Sequence, residues 1–294
     1  MSKDWTKTIQ NEWKLLQRDL PGSIYVRVYE DRIDLLRAAI VGPSGTPYHD
    51  GLFFFDVRFP PEYPRCPPVC WHFTPTFPFF FNFITTNAIS LQLPIQYVQK
   101  VYYHSGGLRL NPNLYESGKV CLSLLNTWWG SGCEKWSKSN STMLQVLISI
   151  QGLVLNDKPY FNEPGYKNTV NTPLGEKHSM AYNQTAFVLS CKTMLYSLRK
   201  PPKHFETLVV HHFHEREHAI LDACSAYASG IIVGSSVRDG AKYACDKCFA
   251  GFKKSLDAHT ELLAKELANR AQALELKGDT PAADGIASTS LGQT

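Results

Sequence analysis

The chain has 294 residues, of which 44% are hydrophobic and 19% are charged, and its formal net charge is +4. This composition excludes a mainly disordered chain, and the charge is too small to indicate a nucleic-acid partner. Eight irregularly spaced cysteines do not form a secreted disulfide framework, and no apolar stretch follows Met-Ser-Lys-Asp as a signal peptide would require. We therefore expect a cytoplasmic or nuclear protein, in a reducing compartment that keeps thiols free.

The first third of the chain predicts a helix followed by strands. Residues 4–20 carry apolar side chains at spacings of three and four, the pattern of an amphipathic helix. Strands are predicted over Ile24–Tyr29, Ile33–Val41 and Leu52–Phe59, and the turns between them favour an antiparallel meander. Residues 59–68 hold too many prolines for a helix or a central strand, so this segment is predicted to cross the fold in extended form.

Residues 71–100 differ from the rest in composition. From Cys66 to Gln99 there is no Asp, Glu, Lys or Arg. A membrane span, a packed insert and translated non-coding sequence are the three interpretations. Prolines and asparagines break every apolar run well short of about 18 residues, which disfavours a span, so no membrane partner is expected. We favour the third hypothesis, because without the insert Val69-Cys70 joins Val101-Tyr102-Tyr103 as one β-rich run.

The rest of the chain is predicted to be mainly helical. The predicted helices are Ser141–Leu155, 176–198, 203–229 and 241–277. From Gly278 onward the residues are mostly small and polar, which predicts a disordered tail. The predicted organisation is a core over 1–170, which contains the anomalous insert, a helical extension over 171–277 and a tail over 278–294.

The run from Asn111 to Leu125 carries the candidate chemistry. Asn-Pro opens a turn and Glu116-Ser117-Gly118 marks a second one, so the loop doubles back and brings the Asn113 amide within reach of the Cys121 sulfur. No His lies in this run to deprotonate the cysteine, as a cysteine hydrolase requires. An amide donor can still stabilise an oxyanion formed from an activated acyl group such as a thioester. The alternative is a buried core cysteine beside a turn-forming asparagine.

These residues carry a resemblance to a known family. Asn111-Pro112-Asn113, then seven residues, Cys121, and Trp136-Ser137 after a further loop, resemble the active-site region of ubiquitin-conjugating enzymes. The first residue of that motif is usually His. The asparagine, together with residues 118–125 and 158–166, resembles the large conjugating enzymes of plants and the conjugating enzyme/ligase hybrids of animals. The resemblance covers about residues 4–225, apart from the insert.

The resemblance implies an α/β (α+β) fold of the ubiquitin-conjugating type: an N-terminal helix, a four-stranded antiparallel meander, and C-terminal helices with a helical extension. It implies that Cys121 accepts ubiquitin as a thioester and passes it to a lysine, while Asn113 donates to the oxyanion. The implied partners are ubiquitin, the ubiquitin-activating enzyme, a ubiquitin ligase and a protein substrate. Because the activating enzyme uses the ATP, we expect no cofactor in this chain. With no His in the loop, Cys121 is expected to be only modestly nucleophilic.

Further site residues follow from the resemblance alone. In the family, the residue before the proline that ends the active-site helix borders the path of the acceptor lysine. That position is Lys158 here, with Asp157 beside it, and the role stays open between them. The contacts with the ligase or activating enzyme correspond to Arg65, Ser137 and Lys138. Arg65 stands where the family often has an apolar residue, and Ser137-Lys138-Ser139 stands in place of the usual Ser-Pro-Ala.

Two other functions are considered. A catalytically impaired conjugating-enzyme-like adaptor would result if the insert disrupted the sheet. A zinc metallopeptidase is suggested by His214-Glu215-x-x-His218, the pattern that places two His on one helical face. Its intervening residues are charged and no third ligand follows at a typical spacing, so a solvated helix face without metal is favoured.

Overall fold

The computed structural model describes residues 2–68, 101–235, 247–275 and 286–289. Within these ranges, the chain forms five α-helices and five strands, besides short 3₁₀ turns and one π-helical turn. The helices are α1 (Lys3–Asp19), α2 (Met143–Ser149), α3 (Pro173–Arg199), α4 (Glu206–Ala228) and α5 (Lys247–Glu275). The strands are β1 (Ile24–Tyr29), β2 (Leu35–Val41), β3 (Leu52–Arg58), β4 (Val101–Tyr103) and β5 (Ile286–Thr289). Residues 69–100, which include the predicted insert, lie outside the described residues.

The predicted N-terminal helix is confirmed as α1. It begins where the Ser2 Oγ accepts a hydrogen bond from the Trp5 backbone N–H at 3.2 Å, an N-cap that satisfies one free helix donor. Trp5, Ile9 and Leu16 are buried on one face, as the spacing predicted. This face packs into the main hydrophobic core against the sheet.

Strands β1 to β4 form the predicted antiparallel meander. One row of paired residues crosses it: Val26 lies opposite Ala38, Ala38 opposite Phe55, and Phe55 opposite Tyr103. All four side chains are fully buried in the core that also contains the apolar faces of α1 and α2. Since residues opposite one another share a face of the sheet, this row fixes which face the core occupies.

The helix after the active-site loop is shorter than predicted. The sequence suggested one helix over Ser141–Leu155, whereas α2 begins at Met143 behind a capping box formed by Thr142 and Gln145. After Ser149 the chain continues as a π-helical turn over Ile150–Val154. Apolar periodicity detects the helical path, but it does not distinguish i→i+4 from i→i+5 hydrogen bonding.

The helical extension covers the opposite face of the sheet. A second hydrophobic cluster joins Ala39, Leu52 and Phe54 of the sheet to buried side chains of α3, α4 and α5. Phe54 packs on Phe205 with ring centroids 5.6 Å apart. The extension is therefore part of the packed structure rather than a detached appendage. The proposed boundary at residue 170 stays a prediction.

Within the tail predicted over 278–294, the structure describes one short segment, Ile286–Thr289. These residues form β5, which pairs in parallel with β1, so that Ile286 lies opposite Val26 and the sheet order is β4-β3-β2-β1-β5. The four-stranded meander thus gains a fifth strand. The edge of a sheet offers unpaired backbone groups, with which a short segment of almost any composition can pair. Composition alone therefore does not predict such a strand. Among the described helices, none has the length and apolarity that crossing a membrane requires.

Candidate active site

The loop between β4 and α2 brings Asn113 and Cys121 together. The Cys121 backbone N–H donates to the Asn113 carbonyl oxygen at 2.9 Å, and the Asn113 Nδ2 donates to the Cys121 carbonyl oxygen at 2.9 Å. Gly118 makes the return turn with φ +82°, where a Cβ would overlap the Tyr102 ring. The doubling back is thus present, but the side-chain amide reaches the carbonyl of Cys121 rather than its sulfur.

Asn111 anchors this loop to the core. Its side chain is fully buried, and its Nδ2 donates to the Tyr48 hydroxyl at 2.8 Å and to the Val154 carbonyl at 2.7 Å. Its Oδ1 accepts from the Asn113 backbone N–H at 2.8 Å. The Asn111 side-chain amide therefore uses both of its N–H donors and its oxygen acceptor, and the bond to its oxygen fixes the backbone of Asn113. The family usually has His at this position.

The Asn113 side chain retains unused hydrogen-bonding capacity. It is 6% exposed, and its Oδ1 has no hydrogen-bond partner among the described residues. A buried acceptor without a partner costs about 1–3 kcal/mol. Such a group in a native structure calls for an explanation, and a reactive site is one place where it is found.

The Cys121 side chain is buried. The residue is 1% exposed, and burial raises the pKa of the Cys121 thiol above its ordinary value. The charges of Lys119 and Arg109 and a hydrogen bond with Tyr115 oppose that rise, while the charge of Glu163 adds to it. Because the thiolate is the nucleophile, a raised pKa means low reactivity near neutral pH, in line with the expected modest nucleophilicity.

Sequence reasoning missed the residues that shift the pKa of the Cys121 thiol. The Tyr115 ring lies beside two cations: the Arg109 guanidinium carbon is 4.6 Å and the Lys119 Nζ 5.5 Å from its centroid. The signal was available, since a hairpin that turns at Glu116-Ser117-Gly118 places Tyr115 opposite Lys119. Glu163 comes from a loop 42 residues beyond Cys121, and no local pattern predicts its proximity.

The two predicted acceptor-path residues differ in their surroundings. The Lys158 Nζ is paired with the Glu176 Oε2 at 2.8 Å, and the Asp157 side chain is exposed. The Asp157 carbonyl oxygen accepts from the Asn183 Nδ2 at 2.8 Å, which ties this turn to α3. Their role stays a prediction, whereas the carboxylate whose charge acts on the thiol is that of Glu163.

The predicted ligase or activating-enzyme contacts lie on one surface. The Trp136 indole N–H donates to the Pro64 carbonyl oxygen at 2.8 Å, which joins the loop of Arg65 to the loop of Ser137 and Lys138. Arg65 and Lys138 are exposed. Beneath them, the buried Glu12 carboxylate of α1 accepts from the Tyr63 hydroxyl at 2.6 Å and from the Met143 backbone N–H at 3.0 Å.

The zinc-binding pattern lies on a solvated helix face. His214, Glu215 and His218 are exposed on α4. Next to them, the Arg216 Nε donates to the Asp50 Oδ1 at 2.7 Å, which ties α4 to the turn before β3. Among residues 2–68, 101–235, 247–275 and 286–289, no three His, Cys, Asp or Glu side chains converge as metal ligands. The peptidase interpretation therefore has no support here.

Comparison with known proteins shows which family this chain resembles. The family model "Ubiquitin-conjugating enzyme" matches residues 8–189. "Probable ubiquitin-conjugating enzyme E2 24" of Arabidopsis thaliana is 53% identical over 80% of this chain and 23% of its own length. "Probable ubiquitin-conjugating enzyme E2 26" of the same plant is 50% identical over 86% of this chain and 41% of its own length.

A more distant relative is "Dual E2 ubiquitin-conjugating enzyme/E3 ubiquitin-protein ligase BIRC6" of Homo sapiens, which is 36% identical over 83% of this chain. The chain spans 4% of that protein and less than half of either plant relative. The match to the family model includes the whole loop that joins Asn111, Asn113 and Cys121. The chain belongs to the ubiquitin-conjugating enzyme family.

Proposed function

We propose that this chain accepts ubiquitin as a thioester on Cys121 and transfers it to a lysine of a protein substrate. The observation that carries the proposal is the position of Cys121, joined to Asn113 by two 2.9 Å hydrogen bonds within the segment that matches the family. Acyl transfer between thiols needs a nucleophilic sulfur and a donor for the oxyanion, and this loop supplies candidates for both.

The first proposed step is transthiolation. The Cys121 thiolate attacks the carbonyl carbon of the thioester between ubiquitin and the activating enzyme. A new S–C bond forms, the old one breaks, and the thiolate of the activating enzyme leaves. Since the incoming acyl group is already activated, a thiol with a raised pKa suffices when the partner aligns the reactants.

The second proposed step is aminolysis. The neutral amine of a lysine attacks the thioester on Cys121, a C–N bond forms, the C–S bond breaks, and the Cys121 thiolate is released. The proton that the amine loses on the way to the amide is taken up by the departing Cys121 thiolate or by water. Glu163 and Asp157 are candidate carboxylates for guiding the lysine. Lys158 is a weaker candidate because its side chain is already paired with Glu176.

Asn113 is the proposed oxyanion donor. Its Nδ2 carries two hydrogens, of which one is directed to the Cys121 carbonyl oxygen in the free chain. Because Asn111 anchors the backbone of Asn113, only the side chain has to move for its amide to donate to the oxyanion. A preorganised donor of this kind lowers the barrier, since it need not be reoriented as charge develops.

The proposed partners follow from this reaction. Ubiquitin and the activating enzyme are needed for charging, and a ligase or a protein substrate for discharge. The exposed surface of Arg65 and Lys138 is a candidate contact for the ligase or activating enzyme. The activating enzyme would use the ATP, so the reaction needs no cofactor in this chain.

A reconstitution with purified components tests the proposal. Chain, activating enzyme, ubiquitin and ATP are combined, and the products are separated with and without a thiol reductant. We expect an ATP-dependent adduct, one ubiquitin heavier than the chain, that the reductant removes. Absence of such an adduct would contradict the proposal.

The low exposure of Cys121 favours one alternative, the catalytically impaired adaptor. That alternative predicts binding of ubiquitin or a ligase without an adduct. A binding titration of the same preparation with unactivated ubiquitin, beside the charging assay, distinguishes the two.

A further inference from the structure

The two peptide groups that flank the Cα of Cys121 are held at all four of their polar atoms. Asn113 holds one atom of each, since its carbonyl oxygen accepts from the Cys121 N–H and its Nδ2 donates to the Cys121 carbonyl oxygen, both at 2.9 Å. Thr127 holds the other two: its Oγ1 accepts from the Leu122 N–H at 2.9 Å and donates to the Val120 carbonyl oxygen at 2.8 Å. One hydroxyl therefore bonds the chain on both sides of the proposed nucleophile.

The hydrogen of the Thr127 hydroxyl has two carbonyl oxygens within reach. That of Val120 is 2.8 Å away and that of Leu122 is 3.2 Å away. The Leu122 carbonyl oxygen already accepts from the backbone N–H groups of Leu125 at 2.9 Å and of Thr127 at 3.3 Å. A hydroxyl has one hydrogen to donate, so its shorter bond is directed to Val120, while its lone pair accepts from the Leu122 N–H.

A short reversal of the chain brings Thr127 back to the nucleophile. Ser123–Leu125 forms a 3₁₀ turn, and Asn126 ends it in the left-handed region with φ +53°, which asparagine adopts more readily than most residues. Val120 and Leu122 are both buried, so water does not easily replace the hydroxyl as their hydrogen-bond partner. The contact is therefore specific to a side chain that both donates and accepts at this position.

We infer that Thr127 is a positioning residue, whose hydroxyl fixes the backbone on both sides of Cys121 and so sets the direction of its sulfur during ubiquitin transfer. The inference rests on the proposed role of Cys121 as the nucleophile. As the Asn113 side chain moves to donate to the oxyanion, its bond to the Cys121 carbonyl oxygen is stretched or lost. The two bonds of Thr127 do not depend on that side chain, so they hold the cysteine in place throughout the reaction.

The competing explanation is that Thr127 only ends the 3₁₀ turn and holds the loop over 126–135. In that case its hydroxyl contributes to the free energy of unfolding, but the folded chain transfers ubiquitin at the same rate without it. The two explanations therefore differ in the rate measured on folded protein.

The test is single-turnover discharge of the ubiquitin-loaded full chain onto free lysine. Thr127→Val keeps the size and branching of the side chain and removes the hydroxyl, whereas Thr127→Ser keeps the hydroxyl. Ser131→Ala is the matched control, because its hydroxyl caps the 3₁₀ turn Gly132–Glu134 of the same loop and makes no bond to the peptides of Cys121. The variants are compared at a temperature at which their urea unfolding curves show them to be folded.

We expect Thr127→Val to slow discharge by about tenfold to 10²-fold, since displacement of a reacting atom by about 1 Å can cost about 10²-fold in rate. Thr127→Ser should restore most of that loss, and Ser131→Ala should discharge at the parent's rate. A folded Thr127→Val variant that discharges at the parent's rate would overturn the inference, as would a Ser131→Ala variant that is equally slow.

Hydrogen exchange of the Leu122 amide covers the case in which Thr127→Val does not fold. It is followed by NMR in the parent chain labelled with isotopic leucine, and it needs no ubiquitin. The Leu122 N–H should exchange at least about tenfold more slowly than in an unfolded peptide, because its bond to the Thr127 Oγ1 must open first. Thr127→Ser should keep this protection.

The two measurements distinguish failure of the inference from failure of the proposed function. Rapid exchange of the Leu122 amide in a folded parent that is charged with ubiquitin would overturn the inference alone. A parent that forms no ubiquitin adduct although the Leu122 amide is protected would refute the proposed function, and the inference would fall with it.

Discussion

Replacing Asn113 by alanine separates its structural role from its proposed chemical one. The change removes the 2.9 Å hydrogen bond from the Nδ2 to the Cys121 carbonyl oxygen. Leaving that buried carbonyl without a partner costs about 1–3 kcal/mol. The change also removes the buried Oδ1 that has no partner, which offsets part of that cost. We therefore expect Asn113→Ala to lower the free energy of unfolding by about 2 kcal/mol or less.

The chemical effect should be larger. Removing one oxyanion donor typically slows a reaction by about 10²–10³, equivalent to about 3–4 kcal/mol of transition-state stabilisation. Aminolysis should show this loss in full. Charging should lose less, because a thiolate attacks a thioester more readily than an amine does. The assay is single-turnover discharge of preloaded chain onto free lysine, read beside the charging rate and a urea unfolding curve.

Asn111→Ala serves as the matched control. It removes the three hydrogen bonds that anchor the loop but keeps the Asn113 side chain. Because the backbone of Asn113 loses its anchor, Asn111→Ala should lower stability and slow charging and discharge to a similar extent. If Asn113→Ala slows charging and discharge equally, in proportion to its loss of stability, the oxyanion assignment is refuted and Asn113 is a structural residue.

Three further predictions concern the insert and two titrating groups. A chain lacking residues 71–100 should fold, charge with ubiquitin and melt at a higher temperature; loss of folding would place the segment in the core. Alkylation of Cys121 should be slower than that of free cysteine at pH 7 and should still accelerate at about pH 9, because burial raises its pKa. Burial alone would raise the pKa of Asp56, but hydrogen bonds from His104 and Arg37 bring it to about 2. The stability that Asp56 contributes should therefore be present above about pH 4 and be lost as the pH falls towards about 2. In Asp56→Asn, the free energy of unfolding measured with urea should depend less on pH across that range.

The helices and the meander were predictable because their patterns are local. Alternating or three-and-four spacing gave β1 within its observed limits and α1 within one residue at each end. The ends of α2 were less accurate, since its cap depends on the side-chain exchange between Thr142 and Gln145. The strand β5 was missed because its partner, β1, lies about 260 residues earlier, and backbone pairing over that separation leaves no local signature.

The site was predictable to the extent that it lies in one loop. Asn113 and Cys121 are eight residues apart, and turn chemistry predicted that the loop brings them together. It did not predict that the Asn113 amide binds the Cys121 carbonyl oxygen rather than lying beside the sulfur. The role of Asn111 as the anchor of this loop was not predictable, because its partners Tyr48 and Val154 come from other parts of the fold. Glu163 was missed for the same reason. Tyr115 could have been found by pairing the arms of the hairpin residue by residue.

The most direct test of the account is the chemistry of the ubiquitin adduct in two cysteine variants. Cys133 is exposed on the neighbouring loop and is the matched control for Cys121. We predict that Cys121→Ser converts the adduct from a thioester, which a thiol reductant removes, to an oxyester that resists the reductant and is cleaved by alkali. Cys133→Ser should keep the reducible adduct. A reducible adduct that persists in Cys121→Ser but disappears in Cys133→Ser would contradict the account.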